Sequence, residues 1–145
     1  MLTDLLAANP EEADAILSTN GHASIWPTLE AHTVDQVKLA TLALILRGTT
    51  PESAAVGKIV ESFEGLASGG EDGPWIDRVP NELVQGLAGL SADRIDEVAA
   101  KWGSTEEAKL DRWEQADIAV FLQELSAFAA SAVAQNKSLL LWVCL

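Results

Sequence analysis

Basic side chains are scarce in this chain. Nine Lys and Arg stand against 22 Asp and Glu, for a formal charge of −13. None of the nine falls within residues 1–32, where Asp4, Glu11, Glu12, Asp14 and Glu30 lie. Residues 52–82 carry seven acids and two bases, and residues 93–124 carry nine and four. Nucleic-acid binding draws its affinity from counterions displaced by Lys and Arg, and anionic membrane surfaces recruit the same side chains. The shortage therefore argues against nucleic acid and against a membrane as partners. It favours a basic protein as the partner, steered by an acidic face.

Cysteine is nearly missing as well. Cys144 stands alone, so no intrachain disulfide exists and a reducing, cytoplasmic setting is expected. In an apolar tail its thiol reads as a small hydrophobe. Long apolar runs are lacking: 39–46 and 139–145 both fall far short of the ~20 residues of a membrane span. The N-terminus has no charged-then-apolar signal layout.

Catalytic and cofactor motifs are absent too. No Gly-x-Ser-x-Gly elbow occurs, and no alternating Asp/Asn run forms a calcium loop. The glycines of 65–73 have neither a preceding strand nor an internal Lys to cradle a phosphate. His22 and His32 match no zinc spacing and are not at i, i+4. No cofactor and no metal are expected. An enzyme or metal-binding domain would need His22, His32 and the carboxylates of the 67–78 loop to converge in one pocket.

What is present is a well-filled interior. The 145 residues are 48% apolar, enough for one domain spanning 1–145 that buries about 70% of its unfolded surface. The pattern reads as helical nearly throughout. A short helical turn is expected at 2–8. Asn9-Pro10-Glu11-Glu12 is a helix start, with a cap, a proline at the first position and acids at the positive end of the dipole. Residues 21–32 read as irregular. Thr33 and Gln36 form a capping box for a helix over 34–47, whose all-round apolar second half places it centrally. Helices are expected over 51–66, 80–90, 92–102 and 105–136, the last with a bend or break near 114–117. Residues 67–78 read as the main loop and 139–145 as an extended tail. The fold class expected is all-α: a single compact multi-helix bundle of about six helices with a short extended C-terminal segment.

Tryptophan is the remaining lead. Of five, Trp102, Trp113 and Trp142 fall on apolar stripes or in the tail and read as core. Trp26 and Trp75 sit in loop sequence beside Pro27 and Pro74, where a tryptophan either anchors a partner or plugs its own loop. With Glu71, Asp72 and Asp77 they make the candidate partner-binding set. In size, acidity and helical content the chain is similar to small bacterial proteins that neutralise a toxin. The expected function is thus a non-catalytic acidic protein-binding module or inhibitor, immunity-protein-like, acting on a basic partner. One alternative is a homodimer assembled through the apolar tail, by edge pairing; the other is the enzyme or metal domain above.

Overall fold

The computed structural model describes residues 1–145 and replaces the expected all-α bundle with a mixed α/β fold. Five strands form one antiparallel sheet: β1 (Leu2–Ala8), β2 (Thr28–His32), β3 (Glu64–Ser68), β4 (Trp75–Arg78) and β5 (Ser138–Cys144). Their order is β2-β1-β5-β4-β3. Seven helices accompany them: α1 (Ala13–Leu17), α2 (Gln36–Arg47), α3 (Ser53–Glu61), α4 (Asn81–Ala88), α5 (Ile95–Gly103), α6 (Glu106–Leu110) and α7 (Gln115–Ala134).

The C-terminal tail is the middle of the sheet. β5 pairs with β1 from Leu2↔Cys144 to Ala8↔Ser138, and on its other side with β4 from Trp75↔Val143 to Arg78↔Leu140. Both edges of the tail are therefore occupied within the chain, and a dimer by edge pairing there would have to displace β1 or β4.

The sheet is covered on both faces. Leu5, Ala7, Leu139, Leu141 and Val143 join the larger core with α2, α4, α5 and α7. Leu6, Ala8, Leu140 and Ile76 join a smaller core with Ala13 and Ile16 of α1. Double coverage explains why residues 2–8 gave no strand signal. Both alternating sets are apolar, so the period of two that marks a half-buried strand disappears. The tail, expected to be extended, is β5, whereas β2, β3 and β4 were hidden in other ways. β2 lies in the stretch read as irregular, β3 straddles the end of the expected 51–66 helix and the start of the expected loop, and β4 lies inside that loop. All three are short, and β3 is built of Glu, Gly, Leu, Ala and Ser, residues of mostly low strand propensity. Pairing with distant partners holds them, not local preference.

The helices follow local rules more closely. Asp35, rather than Thr33, caps α2 by accepting the Lys38 N–H at 3.0 Å. Residues 38–45 of that helix are all buried, and Gly48 ends it at φ 77°. The expected 105–136 helix is two. After α6 the chain turns left-handed at Arg112 (φ 56°). Its N–H bonds Lys109 C=O, and the N–H of Trp113 bonds Ala108 C=O. This is a Schellman ending with arginine where glycine is usual. The break strands Leu110 at 82% exposure instead of in the expected apolar stripe. By length and composition α7 is a helix that could cross a bilayer. Its buried residues Ile118, Leu122, Leu125, Ala129 and Ala132 instead join the helical core, and its Ser126 hydroxyl donates to Leu87 C=O of α4 at 2.8 Å.

Candidate functional site

A cleft of about 500 Å³ opens where the end strand of the sheet faces the start of α7. One wall is Glu30, Ala31, His32 and Val34. The opposite wall is the α6–α7 break with Arg112, Trp113 and Glu114, followed by Asp117, Phe121 and Glu124 of α7. The volume lies in the range that takes a ligand or a few side chains.

Lys38 supports the floor without lining the cleft. It is 7% exposed, one of the few charged side chains buried in the chain. Its Nζ donates to Thr33 C=O at 2.6 Å and forms an ion pair with Asp111. It also lies 5.5 Å from the centroid of the Trp113 ring. A single ammonium thus ties α2 to the turn that follows β2 and to the α6–α7 break. Trp102 completes the support. Its indole N–H donates to Lys38 C=O at 3.1 Å, and its ring meets Trp113 edge-on at 5.0 Å and Phe121 at 6.3 Å. Trp113 and Phe121 remain half-buried and face the opening as an aromatic floor.

Two of the three non-glycine residues with positive φ stand on opposite walls of this cleft: His32 at 53° and Arg112 at 56°. Such backbone is uncommon outside Gly; His is among the residues that adopt it more readily, whereas Arg is not. At His32 it is held by Thr3, whose hydroxyl donates to His32 C=O at 2.7 Å, and by the bond from Val34 N–H to Ala31 C=O. These turns shape the cleft by sending the chain sharply out of β2 and out of α6.

Charge around the floor is one-sided. Glu114, Asp117 and Glu124 carry three carboxylates, and Glu30 a fourth at the strand edge, turned by its pairing with Asp4 toward the smaller-core face, against the single guanidinium of Arg112. The ion pairs of the protein use other acids, namely Asp4, Glu64, Glu82, Glu97 and Asp111. Glu114 and Asp117 also sit at the positive end of the α7 dipole, which favours them locally. Glu30 and Glu124 have no such reason. Nowhere do three or more His, Cys, Asp or Glu side chains gather as a metal site would need.

The residues singled out from sequence are dispersed. Glu71 and Asp72 are exposed in the turn between β3 and β4, away from any sizeable cavity. Trp75 is in β4, not a loop, and packs half-buried against the larger core. Asp77 follows on the same strand and accepts a hydrogen bond from Gln36 Nε2 at 2.6 Å. Burial pushes its carboxyl above the ordinary aspartate range, an effect the Gln36 bond partly offsets. Trp26 lies on the other side of the sheet, against the smaller core, with its indole N–H donating to Glu12 Oε2 at 2.8 Å. That bond, with the Asn9 N–H, holds the Glu12 carboxyl below its usual range.

The histidines do not share a pocket. His22 is buried on the smaller-core side, donating from Nε2 to Asp4 Oδ2 at 2.7 Å and lying 4.9 Å from the Trp142 ring. His32 is in the cleft wall. Sequence reasoning missed Lys38, Arg112, Glu114 and Glu124; it read Trp113 as core, against which Trp113 does pack while it also lines the cleft. The available signals were a lone lysine among the apolar residues of 37–46 and the weak helical pattern at 111–114, neither of which shows that the two regions meet.

No protein-family model matches the chain, and no curated protein matches it. Among solved structures the chain is similar to YfbM from Escherichia coli, described as a protein of unknown function. The likeness has 14% identity and a TM-score of 0.48, over 98% of this chain and 99% of that one.

Proposed function

We propose that the protein is a non-catalytic binding module whose cleft receives a basic segment of a partner protein, masking that segment as an inhibitor does. The supporting observation is the pairing of an aromatic floor with four carboxylates outside the ion pairs of the fold. Lys and Arg have the matching shape: an apolar stem that lies across Trp113 and Phe121, and a charged head that reaches the rim. The −13 charge of the whole chain draws such a segment in from a distance.

Titration of the full chain with a lysine- and arginine-rich peptide, followed by tryptophan emission, tests this. Saturable binding is expected, weakening as salt rises because the carboxylates are solvent-exposed and screened. The emission change should vanish in Trp113→Phe. Binding that is equal at low and high salt, or a captured partner that is acidic, overturns the proposal.

A further inference from the structure

We infer that the partner segment enters extended and adds to the open edge of β2 as a further strand. This deepens the binding proposal above and rests on it. β2 is an end strand, paired only with β1. The 3.0 Å bond from Ala7 N–H to Pro27 C=O marks these residues as a hydrogen-bonded pair. Alternation in an antiparallel ladder makes Leu5 and Leu29 the next such pair. The N–H and C=O groups of Thr28 and Glu30 therefore point away from β1, to the side where no strand follows.

The cleft meets that side at one end, at Glu30, and opens from there along the face that carries the larger core. Glu30, Ala31 and His32 are in its wall, and α7 stands across from them. In a strand laid along this edge, successive side chains point to opposite faces. Every second residue then turns toward α7, where a Lys or Arg lays its stem on Trp113 and Phe121 and its head beside Asp117 and Glu124. The other residues turn to the opposite face of the sheet.

Charge decides what the edge admits. Proteins commonly protect open edges with lysine, proline or bulges. β2 is preceded by Pro27, is irregular opposite Thr3 and Asp4, and has no lysine; Glu30 supplies its one acidic side chain. An acid repels other copies of this acidic chain and leaves the edge open to a basic one. The occupant that fits is thus an extended segment alternating basic and apolar residues.

The test uses the full chain and a short synthetic peptide of alternating lysine and valine, with two variants: one N-methylated on every lysine, the other on every valine. N-methylation removes backbone donors and leaves charge in place. Addition to the edge uses only one set of N–H groups, so one variant should lose about tenfold or more in affinity while the other binds like the parent. Equal binding of all three overturns strand addition and leaves the cleft as a charged receiving site. Failure of the parent peptide to bind at low salt overturns both.

Discussion

The two ends of the sheet began from similar material and became different surfaces. β2 and β3 are both five-residue end strands with acidic side chains nearby. At the β3 end, the turn that joins β3 to β4 carries Glu71 and Asp72 into solvent, and Glu64 is met by Arg78 at 3.8 Å. Near the end of β2, the α6–α7 break stands across a cleft from the strand, over an aromatic floor held by buried Lys38. Carboxylates in open water are screened and exchange partners freely. The cleft carboxylates are exposed and screened as well, but they surround a concave apolar floor that can hold the stem of a basic side chain while they meet its head. Acid count does not separate the two ends, whereas concavity does.

The strongest way to break the contrast is to remove what holds the floor. Lys38→Met keeps the apolar stem and deletes the ammonium, leaving Thr33 C=O without its donor and Asp111 without its partner. A loss of about 2 kcal/mol in urea unfolding is expected, together with weaker binding of the basic peptide. Unchanged stability would show that the floor is held by aromatic packing alone.

The next effect compares the ends directly. Charge reversal at the cleft, Glu30→Lys with Asp117→Lys, should weaken peptide binding about tenfold. The same reversal at the far end, Glu71→Lys with Asp72→Lys, should leave affinity nearly unchanged at physiological salt. Equal losses from the two pairs would mean that net charge, not the cleft, drives association.

A smaller effect concerns backbone. Arg112→Gly relieves a left-handed residue and should stabilise the fold by about 1 kcal/mol, read as a higher midpoint in thermal unfolding. It also removes the one cation of the cleft wall, so peptide affinity should rise slightly. A drop in stability would mean that the arginine side chain contributes more than its backbone costs.

The least effect is expected on the β4 side. Asp77 titrates above the ordinary aspartate range because burial disfavours its charge. A raised carboxyl pKa means that the ionised form opposes folding. That cost is absent below the unfolded-state pKa and complete above the folded-state one. Asp77→Asn should therefore raise the melting midpoint at neutral pH and leave it unchanged in acid, below the ordinary aspartate range. An equal rise at both pH values would point to packing and not to charge.

Helix positions were largely readable because their determinants are neighbours in sequence. Pro10 and the acids after it, the apolar run from Leu39 to Ile45, and Gly48 at the end of α2 all act within a turn or two. The Arg112 turn was not readable, since arginine carries no preference for a left-handed ending. β1 was lost because Leu5 and Leu6 are both buried, on opposite faces of a doubly covered sheet. At the site the fault lay in distance. Lys38 and Trp113 meet from positions far apart in the chain, and the candidates chosen by loop composition, Glu71, Asp72 and Trp75, have no cavity between them.

The amino-acid order alone determined the charge of the chain, its apolar content, the location of the main helices and the extended character of the tail. Each of these is a sum over residues or a bond between near neighbours. Tertiary structure alone decided that the tail would lie between β1 and β4, and that the strand edge at Glu30 would look across at α7. A helix satisfies its backbone from within, so its sequence suffices. A strand borrows its hydrogen bonds from elsewhere in the chain, and a cleft exists only between parts that folding has brought together.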